Sequence, residues 1–209
     1  VLVDLGYWGR RDGGMFEGFH KFTVNSRHPT AYFQSRKYPA DRVSRFSLEL
    51  HPWRGSGRHI LIPGMSEKAA NLSGFTGGEW ENHAIKAVRR YTDRPIVFRD
   101  KPKWPIHRPI VGAERANANL ALVDVLRDCY AVLSHHSNVN VDGLILGIPS
   151  FCVEGAATVL SRNDLSQIEA PLLEGDRQQL LNDLAYTQFN VAEMNEGVPW
   201  RHLKNEGLV

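Results

Sequence analysis

The spacing of apolar positions changes character along this chain. Residues 1–5, Val-Leu-Val-Asp-Leu, read as a buried strand that Gly6-Tyr7-Trp8-Gly9 interrupts. Residues 6–57 keep neither a helical nor a strand period and are rich in Gly, Arg, His and aromatics. Such segments commonly form loops that carry functional side chains. From residue 58 the pattern is regular. Residues 58–63 predict a strand, 64–68 a turn, and 78–92 an amphipathic helix with Trp80, Ala84, Ile85 and Val88 on one face. Residues 95–99 predict a second strand, and 118–128 a helix with Leu122, Val125 and Leu126 inward. Residues 130–133 and 150–153 predict two more strands around a helix ended by Gly147 and Pro149. Helices are expected over 163–169 and 176–195, with Pro199-Trp200 closing the C-terminal helix. Strand and helix alternate four times, so the expected fold is α/β, a Rossmann-like doubly wound parallel sheet. The expected division is an irregular N-terminal lead-in over 1–57 and a sheet domain with C-terminal helices over 58–209.

Composition narrows the function classes. The 209 residues suffice for one good core or two small ones, and 42% of them are apolar. A formal net charge of +2 gives no strong electrostatic argument for nucleic acid or a membrane surface. Positive residues lean toward the first half, where Arg10, Arg11, Lys21, Arg27, Arg36, Lys37, Arg42, Arg45, Arg54 and Arg58 precede the first regular unit. A solvated face explains that lean better than an acidic-ligand surface. Cys129 and Cys152 lie in apolar runs and are expected to pack as small hydrophobes, which fits a reducing cytoplasm. No apolar run approaches the roughly 18 residues of a membrane span, and no secretory signal is visible. The opening Val-Leu-Val-Asp-Leu-Gly is a strand in mid-stride without an initiator Met, so an upstream segment is expected.

Candidate chemistry gathers in three loops that follow successive strands. The first holds Gly64 and Lys68, the second Arg99, Lys101 and Lys103, and the third Ser134 to Asn138. In a parallel sheet these loops share one edge. Glycine lets a backbone come close, lysine and arginine neutralise phosphate, and the helix after Ser137 offers N–H groups and a positive dipole end. A diphosphate or nucleotide pocket is the expectation. Asp142, read as lying at the start of that helix, and Glu154, just past the last strand, are candidates for a ribose or sugar hydroxyl. His136 is a candidate hydrogen-bond donor to a leaving group. His135 and His136 are not expected to bind metal, since neighbours on a strand end point to opposite sides. Asp12, Glu17, His20 and His28 are the possible general bases of the lead-in, with Asp12 and His20 preferred. Neither Gly-x-Gly-x-x-Gly after a strand nor Gly-x4-Gly-Lys-Ser/Thr occurs, which argues against a dinucleotide dehydrogenase and a P-loop NTPase. Nor is there a Gly-x-Ser-x-Gly elbow.

The stretch Ser137-x4-Asp142-Gly143-Leu144-x2-Gly147-x-Pro149 resembles the signature of the nucleotide-sugar domain of GT-B glycosyltransferases. The resemblance is nearest to the capsule-polysaccharide and sialyltransferase-like groups, and extends to glycosyltransferase-like proteins of bacteriophages. Those groups carry a His-Pro after an earlier strand; here the matching stretch is Arg99-Asp100-Lys101-Pro102, with Lys101 in the place of the His. The resemblance covers 58–155 well and 1–57 only vaguely. It implies one C-terminal-type half of a GT-B enzyme, and a metal-independent transfer of sugar from a nucleotide-sugar donor, which is substrate and not cofactor. The donor would lie on Gly64, Lys68, Arg99, Lys101, Ser137, Asn138, Asp142 and Glu154. The acceptor stays open between a glycan and modified DNA. A homo-oligomer or a separate N-terminal domain would complete the enzyme, in the cytoplasm, that of the host if phage-encoded. Two alternatives stand beside this reading: a nucleotide-sugar epimerase, and a non-enzymatic phage structural or nucleic-acid-associated protein with a degenerate GT-B fold.

Overall fold

The structure is a computed structural model that describes residues 1–10, 17–28, 36–101, 104–117 and 119–209. Asp12, and Lys103 of the second loop, lie outside the described residues. The chain forms two compact units, one of residues 1–49 with 176–209, the other of residues 50–175.

The second unit is built on a six-stranded sheet. Its strands are β3 (His59–Pro63), β4 (Ile96–Arg99), β5 (Glu114–Arg115), β6 (Cys129–Ser134), β7 (Ser150–Cys152) and β8 (Ser161–Arg162). They lie in the order β5-β4-β3-β6-β7-β8, and every neighbouring pair is parallel. Counted from β3 this is 3-2-1-4-5-6, the Rossmann order, so the expected doubly wound sheet is present. The helices are α1 (Glu67–Leu72), α2 (Glu79–Val88), α3 (Leu122–Leu126) and α4 (Asn138–Ile145). Strand alternation splits the core between the two faces. Ile60, Ile62, Ile96, Phe98, Ala131 and Leu133 pack with Trp80, Ala84, Ile85 and Val88 of α2. Leu61 and Val132 pack with Val125 and Leu126 of α3, and Val139 of α4 joins them. The central strands are buried on both faces and therefore read as continuous apolar runs. Residues 163–169, expected to be a helix, contribute only a 3-10 turn at Leu165–Gln167.

The first unit departs from the expected lead-in. β1 (Leu2–Arg10) and β2 (Gly18–Thr23) are antiparallel, and β2 also pairs with β9 (Gln188–Asn190). What reads as a break at Gly6 to Gly9 is a bulge, with a register shift between Leu5 and Arg10. Tyr7 N–H donates to Gln188 Oε1 at 2.7 Å, so a side-chain amide replaces a ladder partner. Gly9 takes a φ of +66°, in the left-handed region that suits glycine. The stretch 176–195, expected as one helix, is α5 (Arg177–Ala185), then β9, then α6 (Val191–Asn195). Asn190 opens α6 with a capping box to Glu193. Pro199 does not close a helix: it stands in the first turn of α7 (Val198–Asn205), where its missing N–H is harmless. Residues 176–209 thus belong with the first unit, because β9 completes its sheet. Arg42 gathers the same unit. It donates to the Ala185 and Gln188 carbonyls, pairs with both Glu193 oxygens, and lies 4.8 Å from the Phe189 ring centre.

Candidate functional site

The strand order fixes where a ligand would sit. From β3 the chain adds β4 on one side, and from β6 it adds β7 on the other. The connections part between β3 and β6, and open α/β sheets bind ligands at such a point, outside the carboxyl ends of the strands. Here those ends are Pro63-Gly64 and Ser134 to Ser137.

The β6 end is held by buried hydrogen bonds. Ser134 Oγ donates to Asn140 Oδ1 at 2.5 Å and accepts the Ser137 N–H at 3.0 Å. Asn140, fully buried on α4, donates its amide hydrogens among Ser150 Oγ at 2.8 Å and the Val132 and Phe151 carbonyls at 3.2 Å. Ser161 Oγ lies 2.5 Å from Ser150 Oγ, so β6, β7 and β8 are tied through one amide and three hydroxyls. Ser137 is the N-cap of α4, its Oγ accepting the Val139 N–H at 3.2 Å. The Ser134 hydroxyl is therefore committed to the fold. Asn138 begins the helix; the Val139 and Asn140 N–H groups donate to the Ser137 hydroxyl and carbonyl, which leaves the Asn138 N–H as the helix-end donor nearest the crevice. Asp142 does not stand at the helix start. It is the fifth residue of α4, in the second turn, too far along for the dipole argument made from sequence.

His135 and His136 follow the last residue of β6, so strand alternation does not apply to them as the sequence reading supposed. Their Nδ1 atoms lie 2.9 Å apart, and their rings are at 89°. His135 is buried, its ring edge-on to Trp80 and Phe75 at 5.7 and 5.8 Å. The Glu154 N–H donates to the His135 carbonyl at 2.7 Å, which brings the loop after β7 against the pair. One ligand atom from each of His135, His136 and Glu154 lies within 4.8 Å of the others. Beside this group, a cleft of about 210 Å³ is lined by Trp80, Ala84, Leu133, Cys152, Val153 and Leu165.

The other two loops are placed less favourably. Gly64 is required by packing: a Cβ there would lie 2.9 Å from the Phe98 ring and 3.1 Å from Ile106. Its N–H donates to the Arg99 carbonyl, joining the ends of β3 and β4. Lys68 is exposed on α1. Arg99 donates to the Leu120 carbonyl, and Asp100 pairs with Arg115 and accepts the Ile106 N–H. Lys101 is exposed. His20 belongs to the first unit. It is 4% exposed, and neither ring nitrogen has a hydrogen-bond partner among the described residues. That burial does not suit a base that must reach an acceptor hydroxyl.

Glu81 was not singled out from sequence. It is fully buried on α2, where Oε1 accepts the Met65 N–H at 2.7 Å and Oε2 has no partner among the described residues. Burial raises its pKa above the ordinary carboxylate value. Its signal was present: residues 81, 84, 85 and 88 share one helical stripe, and the first is a carboxylate on an otherwise apolar face. Burial also pushes the Cys129 thiol up to about 12, so it is no nucleophile at neutral pH. No helix among the described residues is long and apolar enough to cross a membrane.

No protein-family model matches the chain, and no curated protein matches it. Solved structures do. A β-Kdo 2,7 transferase, KpsC, of Thermosulfurimonas dismutans is 16% identical, with a TM-score of 0.46 over 77% of this chain and 58% of that one. The β-Kdo 2,4 transferase KpsC of the same organism is 12% identical, with a TM-score of 0.47 over 80% of this chain and 65% of that one. The glycosyltransferase SnogD of Streptomyces nogalater is 14% identical, with a TM-score of 0.35 over 77% of this chain and 45% of that one. The chain spans 58% and 65% of the length of the two Kdo transferases. Each of the three similar structures bears the name of a transferase, and the sheet order of the second unit is the Rossmann order.

Proposed function

We propose that the second unit binds a nucleotide sugar in the crevice between β3 and β6 and serves transfer of the sugar to an acceptor hydroxyl. The observation that carries this is the reversal of strand order between β3 and β6, with the capped N-terminus of α4 at its mouth. In the transfer an acceptor oxygen bonds to the anomeric carbon while the bond from that carbon to the phosphate oxygen breaks. Negative charge develops on the phosphate. The Asn138 end of α4 and the His136 imidazole meet that charge by hydrogen bonding, and Lys68 and Lys101 meet it by attraction. Glu154 and Asp142 take sugar hydroxyls. The apolar cleft beside Trp80 suits the flat face of a ring. The acceptor proton passes to a general base on the acceptor side, for which Asp12 is the sequence candidate to test. The acceptor class proposed is a glycan.

Calorimetric titration with UDP-, GDP-, ADP- and CMP-sugars tests the reading. One nucleotide class should bind at a single site, and Lys101→Ala should weaken that binding roughly tenfold or less, as expected for an exposed cation meeting phosphate. Absence of binding by every donor rules the reading out.

A further inference from the structure

His135, His136 and Glu154 bring two imidazoles and one carboxylate together at the ends of β6 and β7. A Nδ1–H···Nδ1 bond accounts for the 2.9 Å approach of the two imidazoles. One carboxylate oxygen of Glu154 lies within 4.8 Å of a ring nitrogen of each. Two imidazole nitrogens and one carboxylate oxygen are a recurrent donor set of borderline divalent metals. At a Zn–N or Zn–O length of about 2.0–2.1 Å, tetrahedral ligand atoms lie roughly 3.3 Å apart. The three ligand atoms lie within 4.8 Å of one another, close enough to converge on that separation by small side-chain rotations.

The group is also held in place without a metal. Trp80 and Phe75 fix the His135 ring edge-on. The Glu154 N–H bond to the His135 carbonyl ties the two loops together. Gly155, at φ +110°, turns the chain immediately after the carboxylate, and a Cβ there would approach His136 Cα to 3.4 Å. All three ligands thus sit on the ends of two adjacent strands, which supply the rigidity that a metal site needs.

We propose that His135, His136 and Glu154 bind one divalent transition-metal ion, Zn²⁺ by ligand type. Three protein ligands leave at least one coordination position for water or a ligand oxygen. The site departs from the sequence expectation of no metal, because the two imidazoles converge once the strand has ended. The site shares His136 and Glu154 with the proposed donor contacts, so an ion held there would stand between them and the donor, and metal uptake measured without nucleotide sugar tests the site independently of that reading.

The test uses the full chain, free of any tag, stripped with chelator and titrated with ZnCl₂ and CoCl₂ in the absence of nucleotide sugars. One equivalent should bind, and Co²⁺ should give the intense visible band of a four- or five-coordinate site. His136→Ala and Glu154→Gln should each weaken binding roughly 10- to 100-fold or more. Both residues are at least partly accessible, so both variants should keep the wild-type circular dichroism. His83→Ala and His107→Ala, at exposed imidazoles, should bind as wild type. No uptake overturns the proposal, and so does uptake that both site variants leave unchanged, which would mark adventitious binding by other histidines. Either failure leaves the donor titration standing as a separate result.

Discussion

At the scale of single residues, buried polar side chains on otherwise apolar faces decide most of what happens near the crevice. Asn140 accepts from one hydroxyl and donates toward a second hydroxyl and two carbonyls, all with no exposure of its own. Replacing it with Leu leaves several buried acceptors unpaired. The Asn140→Leu variant should lose roughly 2–4 kcal/mol in urea unfolding, while Lys86→Ala on the exposed face of α2 should lose little. Glu81 behaves in the opposite sense. Its folded pKa is raised by burial, so the folded state holds the proton more tightly than the unfolded one. Its contribution is best at low pH and declines as pH rises from its ordinary value of 4.5 through the folded pKa. Glu81→Gln should therefore gain stability over wild type at pH 8, and lose that advantage at pH 4, in paired thermal melts. Both residues carried a readable sign in sequence, a polar side chain in a helical stripe of Ala, Val, Leu and Ile. The loop Ser134 to Asn138 looked like ligand-binding material for its polar density. Two of its hydroxyls turn out to serve α4, and sequence has no way to separate a hydroxyl used by the fold from one offered to a ligand.

At the scale of elements, the signature from Ser137 to Pro149 is largely a description of how α4 is seated. Gly143 faces β6 so closely that a Cβ would meet Val132 Cγ2 at 3.0 Å. Gly147 ends the helix at φ +75°, and a Cβ there would lie 1.9 Å from the Pro52 carbonyl oxygen. Gly147→Ala combines left-handed strain with a backbone clash, and should cost about 2 kcal/mol or more and displace the 52–54 strap, read as faster amide exchange at Arg54. The Arg54 N–H normally donates to the Gly147 carbonyl at 2.9 Å. The strands of the second unit were legible because runs such as Ile60-Leu61-Ile62 and Tyr130 to Leu133 are apolar on both faces. β1 and β2 were not, and the reason is local. β1 exposes Leu2, Val3 and Leu5 and buries Gly6, Tyr7 and Trp8 across a bulge, so no alternation survives to be read. β9 was hidden for another reason. Three residues between two helices gain their strand character only from β2, more than 160 positions away.

At the scale of the whole molecule, one unit is continuous and the other is assembled from both ends of the chain. The first unit depends on Arg42, held by Glu193 and by two carbonyls of the returning segment. Burial alone would raise the Glu193 pKa, but hydrogen bonds from Arg42, the Asn190 N–H and Arg45, with the Arg42 charge, outweigh it and leave the pKa lowered. A carboxylate with a depressed folded pKa stabilises fully above its ordinary value of 4.5, and that contribution is lost as pH falls through the folded pKa. The Arg42 and Glu193 side chains are only 11% and 15% exposed, so solvent screening is modest. Glu193→Gln should then destabilise the first unit by roughly 1–3 kcal/mol at pH 7, the range of hydrogen bonds to charged groups. The gap between variant and wild type should narrow steadily below pH 4.5. Hydrogen exchange read separately on 18–23 and on 129–134 locates the effect. Protection should fall along β2 in Glu193→Gln and stay unchanged along β6, since its partners Arg42, Arg45 and Asn190 all belong to the first unit. Equal loss on both strands would mean that the two units unfold as one.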